Sequence, residues 1–116
     1  MIGSSAATIS FAQERSVDDV RYEALQLCQK GHPASAVHVA MKSWFDVKKK
    51  YGKEHPKTAQ FLAVVADVAI CRGQYYLARY LYRRVLAMEE KALGPRHPEV
   101  VRCKKALAHL QQVQDQ

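Results

Sequence analysis

Apolar residues recur along this chain every three or four positions, which is the spacing of one face of an α-helix. Glycine and proline divide the pattern into five segments, and no segment shows the strict alternation of a half-buried strand. The third segment, which begins at Pro56, is apolar almost all round, as helices packed between other helices usually are. The pattern therefore predicts an all-α fold with five helices.

Capping signals set the expected bounds of these helices. Ser16, followed by Asp19 three residues later, marks a helix start, and glycine is common just past a helix end. The other helices are expected to start at Pro33, Pro56, Tyr75 and Pro98, with stops at Gly31, Gly52, Gly73 and Gly94. Residues 1–16 have neither the charged start nor the apolar stretch of a secretory signal. We expect residues 1–16 to form an extended or flexible arm and residues 17–116 to form one helical repeat domain.

The motif Gly-x-x-His-Pro occurs twice, at residues 52–56 and, 42 residues later, at residues 94–98. The same period relates Ala24 to Ala66, Gly31 to Gly73 and Ala36 to Ala78. Self-similarity at a fixed period of this size is the signature of a helical repeat array. Arrays of this kind usually bind other macromolecules rather than transform small molecules.

Residues 56–98 resemble one complete tetratricopeptide repeat of the kinesin-light-chain type, which has a 42-residue period. The residues that carry the resemblance are Leu62, Ala66, Gly73, Ala78, Tyr82 and Val85, with the closing run from Leu93 to Pro98. Residues 14–56 look like a more degenerate copy, and residues 98–116 look like the first helix of a third. The resemblance implies a helical-hairpin solenoid of about two and a half repeats. Its fifth helix either caps the stack or offers an interface, and we favour the cap.

The resemblance also implies where a partner binds, because tetratricopeptide repeats hold peptides in a groove lined by the first helix of each repeat. In the family register, the groove and its flanks consist of Arg21, Tyr22, Leu25, Ala63, Val64, Asp67, Arg102, Lys105 and His109. The last three form a cluster at one end, suited to an acidic side chain or a terminal carboxylate. The alternative is that these three are solvated charges on a terminal helix.

The chain carries a formal charge of +7, from 18 basic and 11 acidic residues, which favours anionic partners. Two basic surfaces are expected, one at the end of the second helix and one on the outer face of the fourth. The first consists of Lys48, Lys49, Lys50 and Lys53, and the second of Arg79, Arg83 and Arg84. Tyrosines lie close to the arginines, and such mixtures suit a phosphate backbone as well as an acidic protein surface. The alternative for the lysines is that they only complement the dipole of the helix that they end.

The sequence contains no motif of catalysis: it has no Gly-rich phosphate loop, no GxSxG and no HExxH. His55 and His97 each precede a helix-starting proline, so we interpret them as loop and cap residues rather than metal ligands. Cys28, Cys71 and Cys103 are far apart and form no CxxC pair, which supports neither a zinc site nor a disulfide framework. We expect Cys71 and Cys103 to be buried by packing, and we expect no enzyme activity, no metal and no cofactor.

These observations favour a non-catalytic protein–protein interaction scaffold or adaptor, as a small structural subunit of a large cytoskeletal or microtubule-associated assembly. The alternative is an RNA-associated subunit of a ribonucleoprotein particle such as a ribosome, which would use the basic surfaces. A kinesin-like cargo adaptor is a third option that rests on the family alone. We expect no small-molecule substrate and no membrane partner, since no apolar run approaches the roughly 20 residues of a membrane span. Unpaired cysteines indicate a reducing, cytoplasmic or cytoskeletal location. A mitochondrial location is the weaker alternative, because Arg15 is the only arginine among residues 1–16.

Overall fold

A computed structural model describes residues 15–115 of the chain, and these residues form five α-helices and no strand. The helices are α1 (Val17–Gln29), α2 (Pro33–Tyr51), α3 (Pro56–Cys71), α4 (Tyr75–Leu93) and α5 (Pro98–Asp115). The all-α prediction is confirmed, and the helix starts and stops agree with those expected from capping signals. Most of the expected arm, residues 1–14, lies outside the described residues.

Side chains cap three of the helix starts. The Ser16 hydroxyl oxygen accepts a hydrogen bond from the Asp19 amide, at 3.1 Å. The imidazole Nδ1 of His55 accepts one from the Lys57 amide at 3.0 Å, and Nδ1 of His97 accepts one from the Glu99 amide at 3.1 Å. The two histidines of the repeated motif are therefore cap residues, as predicted.

The glycine of the same motif ends the preceding helix in both copies. Gly52 follows α2 with a φ of 97°, and Gly94 follows α4 with a φ of 90°. Side chains with a Cβ rarely adopt this left-handed region, so glycine is the residue that allows the turn. Each copy of Gly-x-x-His-Pro therefore stops one helix and starts the next within four residues.

Helix α3 lies at the centre of the fold and packs against α1, α2 and α4. One side of α3 joins the residues of α1 and α2 in a buried cluster, and the other side joins those of α4 and α5. The first cluster consists of Val20, Ala24, Ala36, Ala40, Phe61, Val64 and Val68. The second includes Ala59, Leu62, Ala63, Ala66, Ala69, Ala78, Leu81, Tyr82, Val85, Cys103 and Leu110. This arrangement confirms the expectation that the helix with an apolar surface nearly all round lies between others.

Helix α5 does not repeat the packing of the helices before it. The first helix of the chain, α1, packs against α3, and by the 42-residue period α5 would pack against α3 in the same way. Instead α5 packs against α4, and none of its Cα atoms lies within 8 Å of a Cα atom of α3. Its Val100 and Leu110 are buried, whereas Val101 is exposed. The space between α3 and α5 is the place where the repeat is interrupted.

A disulfide joins Cys28 at the end of α1 to Cys71 at the end of α3. The two Cα atoms are 6.5 Å apart, and the residues are 43 positions apart in the chain. The expectation of unpaired cysteines was therefore wrong for these two, and Cys71 is exposed at a helix end rather than packed on an apolar face. A separation close to one repeat period brings the ends of equivalent helices together, which is why distance along the chain misled the prediction. Cys103 is buried and unpaired, as expected.

No helix among the described residues combines the length and the apolar content that crossing a bilayer requires.

Candidate binding groove and its cavity

A part-buried polar cluster ties three helices together on one face of the fold. The Arg21 guanidinium of α1 donates from Nε to Oδ2 of Asp67 in α3, at 2.8 Å. Arg21 also reaches Asp18 from Nη1, at 3.2 Å. The Tyr82 hydroxyl of α4 donates to the other Asp67 oxygen, Oδ1. Each oxygen of the Asp67 carboxylate therefore accepts one hydrogen bond, and each bond comes from a different helix.

This cluster holds the fold as well as lining its surface. Burial, followed by the Asp67 charge, raises the pKa of the Tyr82 hydroxyl, so the phenol stays protonated and continues to donate. The Nη2 atom of Arg21 is buried and has no hydrogen-bond partner among the described residues. Arg21 and Asp67, both predicted as groove residues, are thus largely committed to each other.

A cavity of about 200 Å³ opens beside this cluster, in the space between α3 and α5. Four helices supply its walls, which consist of Arg21, Ala63, Asp67, Tyr82, Val85, Glu89, Glu99, Arg102, Cys103 and Ala106. The cavity lies where the backbones of α3 and α5 stay more than 8 Å apart, although buried side chains of both helices belong to one cluster.

Glu89 is the most unusual residue of the cavity wall. Its side chain is 2% exposed, yet no hydrogen bond or ion pair joins it to a described residue. Burial, and then the nearby Glu99 carboxylate, raises the pKa of Glu89 to about 7, although the Arg102 and Arg21 charges act in the opposite direction. An acid that is buried without a partner costs stability, so its presence in a wall points to a use for it.

The α5 side of the cavity carries one ion pair and one thiol. Nη2 of Arg102 donates to Oε1 of Glu99 at 3.3 Å, one turn earlier on the same helix. The Cys103 thiol donates to the backbone carbonyl of Tyr82 at 3.4 Å. Burial is the main cause that raises the pKa of Cys103 to about 12, which keeps it in the unreactive thiol form.

The predicted groove residues divide into three sets by where the structure places them. Arg21, Ala63, Asp67 and Arg102 line the cavity. Tyr22, Lys105 and His109 are exposed and Leu25 is half-buried, but these four do not line it. Val64 is fully buried in the core, so the flanking position predicted for it offers a ligand no surface.

Sequence reasoning missed the carboxylates of Glu89 and Glu99 as site residues. The signal for Glu89 is its spacing, because Ala78, Tyr82, Val85 and Glu89 follow one another at steps of three and four residues. These four residues lie on the same buried face of α4. An acid that continues an apolar stripe of this kind is a candidate for a buried polar site.

The lysines expected to form a basic surface at the end of α2 contact aromatic rings. The Lys48 ammonium lies 4.8 Å from the centre of the Trp44 ring, and the Lys50 ammonium lies 5.3 Å from that of Tyr51. Lys49 and Lys53 are exposed. Two of the four expected lysines therefore rest on aromatic rings, and the other two are open to solvent.

The arginines expected on α4 do not act as one surface. Arg79 donates to Oε1 of Gln111 in α5, at 2.8 Å, and therefore joins two helices. Arg83 and Arg84 are exposed, and the Arg84 guanidinium lies 6.0 Å from the centre of the Tyr80 ring. Tyr76 lies two turns earlier on α4 and is 78% exposed. The outer face of α4 thus offers two arginines and two tyrosines to a partner.

Within the described part of the chain, no group of three or more histidine, cysteine, aspartate or glutamate side chains is arranged to hold a metal ion. Comparison with models of known protein families and with curated protein sequences found no match.

Proposed function

We propose that this chain is a non-catalytic protein-binding scaffold that holds a peptide segment of a partner against the face formed by α1, α3 and α5. The observation that carries the proposal is the cavity beside Arg21 and Asp67, because it is preformed, combines charged and apolar walls and opens where the repeat is interrupted. Small pockets with a few fixed polar groups are typical of binding sites that recognise one side chain of a longer ligand.

The residues around this cavity support binding of an extended segment. Tyr22 of α1 is 69% exposed, and exposed tyrosines are common in protein interfaces because they combine an apolar ring with a polar tip. The tetratricopeptide resemblance places Leu25, Lys105 and His109 along the same groove. The partner segment would insert one side chain into the cavity and lie across these residues.

We propose further that the chain is a structural subunit of a larger assembly, with its basic outer surfaces turned to acidic neighbours. Unpaired cysteines would favour a reducing, cytoskeletal location. The Cys28–Cys71 disulfide removes that argument and favours an oxidising compartment, where disulfides persist.

The proposal is tested by a pull-down from a lysate of the source cells at two salt concentrations, with and without nuclease. The groove variant is Tyr22→Ser/Lys105→Glu, and the matched control is Tyr76→Ser/Lys49→Glu, which makes the same changes on outer surfaces. All four residues are exposed, so both variants are expected to fold. Partner proteins that survive nuclease and high salt should be lost from the groove variant and kept by the control.

A second candidate function is association with RNA, and the exposed Tyr76 and Tyr80 beside Arg83 and Arg84 favour it. Bases stack on such rings while the arginines contact phosphates, and this binding weakens steeply with salt. In the same pull-down, loss of binding on nuclease treatment and in the outer-surface control, but not in the groove variant, would favour RNA over the peptide groove.

A further inference from the structure

The charges of the cavity are not balanced. Arg21 is paired with Asp67 and Asp18, and Arg102 is paired with Glu99, so both guanidinium groups of the wall have carboxylate partners, although Nη2 of Arg21 makes no hydrogen bond to a described residue. Glu89 is left as the one wall carboxylate that no hydrogen bond or ion pair joins to a described residue. The wall carries three carboxyl groups, Asp67, Glu89 and Glu99, and two guanidinium groups, so with Glu89 ionised the cavity lacks one positive charge.

Glu89 is too deeply buried for a mobile ion at the protein surface to neutralise its charge. The side chain is 98% removed from solvent and faces a cavity of about 200 Å³, far larger than the roughly 10–15 Å³ that a single water needs. The apolar atoms of Ala63, Val85 and Ala106 form part of the same walls. A cation that carries a short alkyl chain fits both the charge and these walls.

We propose that the cavity binds the ammonium or guanidinium group of a lysine or arginine side chain, with Glu89 as its main counter-ion and Glu99 beside it. The inference deepens the proposed function, since it names the side chain that the partner segment inserts. It reverses the prediction made from Arg102, Lys105 and His109, which was an acidic ligand. Lys105 and His109 do not line the cavity, so they give no support for an acidic ligand inside it.

Several groups face Glu89 and set the affinity of the site. Arg21, Glu99 and Arg102 act on its charge, and Asp67 of α3, Tyr82 of α4 and Cys103 of α5 line the same cavity. A cation would bind the ionised form of Glu89, so binding at neutral pH should release a proton from the Glu89 carboxyl group. The alkyl part of the ligand side chain would pack on the alanines and Val85.

The experiment uses small probes and the full chain, so it needs no partner protein. Cation probes are n-butylammonium and ethylguanidinium; the neutral and anionic comparisons are butanol and butyrate. Binding is followed by NMR shifts of the backbone amides that line the cavity. The variants are Glu89→Gln, which removes the charge at nearly constant shape, and Glu90→Gln, which removes a neighbouring carboxylate that pairs with Lys104 outside the cavity.

We expect both cations to shift the amides around Glu89, and the neutral and anionic probes not to. Glu89→Gln should weaken cation binding by about tenfold or more, as loss of a charge-assisted hydrogen bond does. Glu90→Gln should leave it unchanged. Blocked tripeptides with a central lysine or arginine should bind more tightly than putrescine, because the partner is a peptide rather than a free polyamine.

Three results would overturn the inference. The first is absence of cation shifts in the wild-type chain, and the second is tighter binding of butyrate that depends on Arg102. The third is equal cation binding by wild type and by Glu89→Gln, with the fold of the variant verified by its amide spectrum. If the pull-down still yields a partner lost from Tyr22→Ser/Lys105→Glu, the scaffold function stands while the cation site falls.

Discussion

Glu89 occupies a position that the apolar pattern of α4 assigns to the core, four residues after Val85. A carboxylate at such a place stays neutral more readily than one in water, because ionisation must be carried out away from solvent. The raised pKa is thus a statement about stability as well as about binding. Between its ordinary pKa of 4.5 and its folded pKa of about 7, the folded chain binds a proton that the unfolded chain releases.

This difference predicts that Glu89 makes the fold less stable as pH rises. Below about pH 4.5 both states are protonated and Glu89 costs nothing; above about pH 7 both are ionised and the whole cost is present. The contribution is about 3 kcal/mol. Urea unfolding of wild type and of Glu89→Gln between pH 4.5 and 8 measures it, with Glu90→Gln as the control.

We expect the variant to gain stability relative to wild type as pH rises through this window, and Glu90→Gln to follow wild type. A constant difference between Glu89→Gln and wild type at every pH would show that Glu89 titrates normally and is not confined as described.

The sequence predicted which residues lie at the groove only for positions that could be aligned with the tetratricopeptide repeat. The register placed Asp67 and Arg102 near the groove, and both line the cavity. It failed for Val64, because this residue lies on the side of α3 that is buried against α1 and α2. It missed Glu89, because Glu89 lines a cavity that depends on how α5 is placed relative to α3. The residue pattern of a single helix carries no information about the distance between two helices.

At the scale of whole helices, the sequence determined the bounds well because glycine, proline and the capping residues act locally. The Gly-x-x-His-Pro motif adds a histidine N-cap to these common signals. His55 and His97 each accept an amide hydrogen bond through Nδ1, whereas His32 precedes Pro33 in the same way and makes no such bond. Two histidines of the chain therefore cap helices, and His32 serves as a control because it precedes a proline without capping.

Removing a cap should destabilise the fold. We expect His55→Ala and His97→Ala each to lower the free energy of unfolding by about 1 kcal/mol, since an amide at the helix start loses its partner. Asparagine, a good N-cap residue, should restore most of this loss in His55→Asn and His97→Asn. Chemical denaturation of the purified variants measures these differences.

His32→Ala is the matched control and should change stability by less than about 0.5 kcal/mol. If all three alanine variants lose the same stability, the caps are not the cause, and the histidines matter for some other contact.

At the scale of the whole molecule, α1 is held to the rest of the fold by fewer large apolar groups than α3. Its fully buried residues are Val20 and Ala24, and α2 adds only Ala36 and Ala40. Helical repeats depend on contacts with their neighbours for stability, so a helix pair with a small core is the weakest part of the fold. The Arg21–Asp67 ion pair and the Cys28–Cys71 disulfide both tie α1 to α3, one near the start of α1 and the other in its last turn.

The disulfide is therefore expected to supply much of the stability of the fold. A bond that closes a loop of 43 residues restricts the unfolded chain, and the chain-entropy estimate is about 4 kcal/mol. We expect a reducing agent to lower the urea midpoint of wild type. Cys28→Ser/Cys71→Ser should match the reduced protein and be insensitive to the reductant, because Cys103 is buried and unpaired. Alkylation under denaturing conditions should label one cysteine before reduction and three after it. Labelling of all three without reduction, or a midpoint indifferent to reductant, would exclude the bond and restore the argument for a reducing compartment.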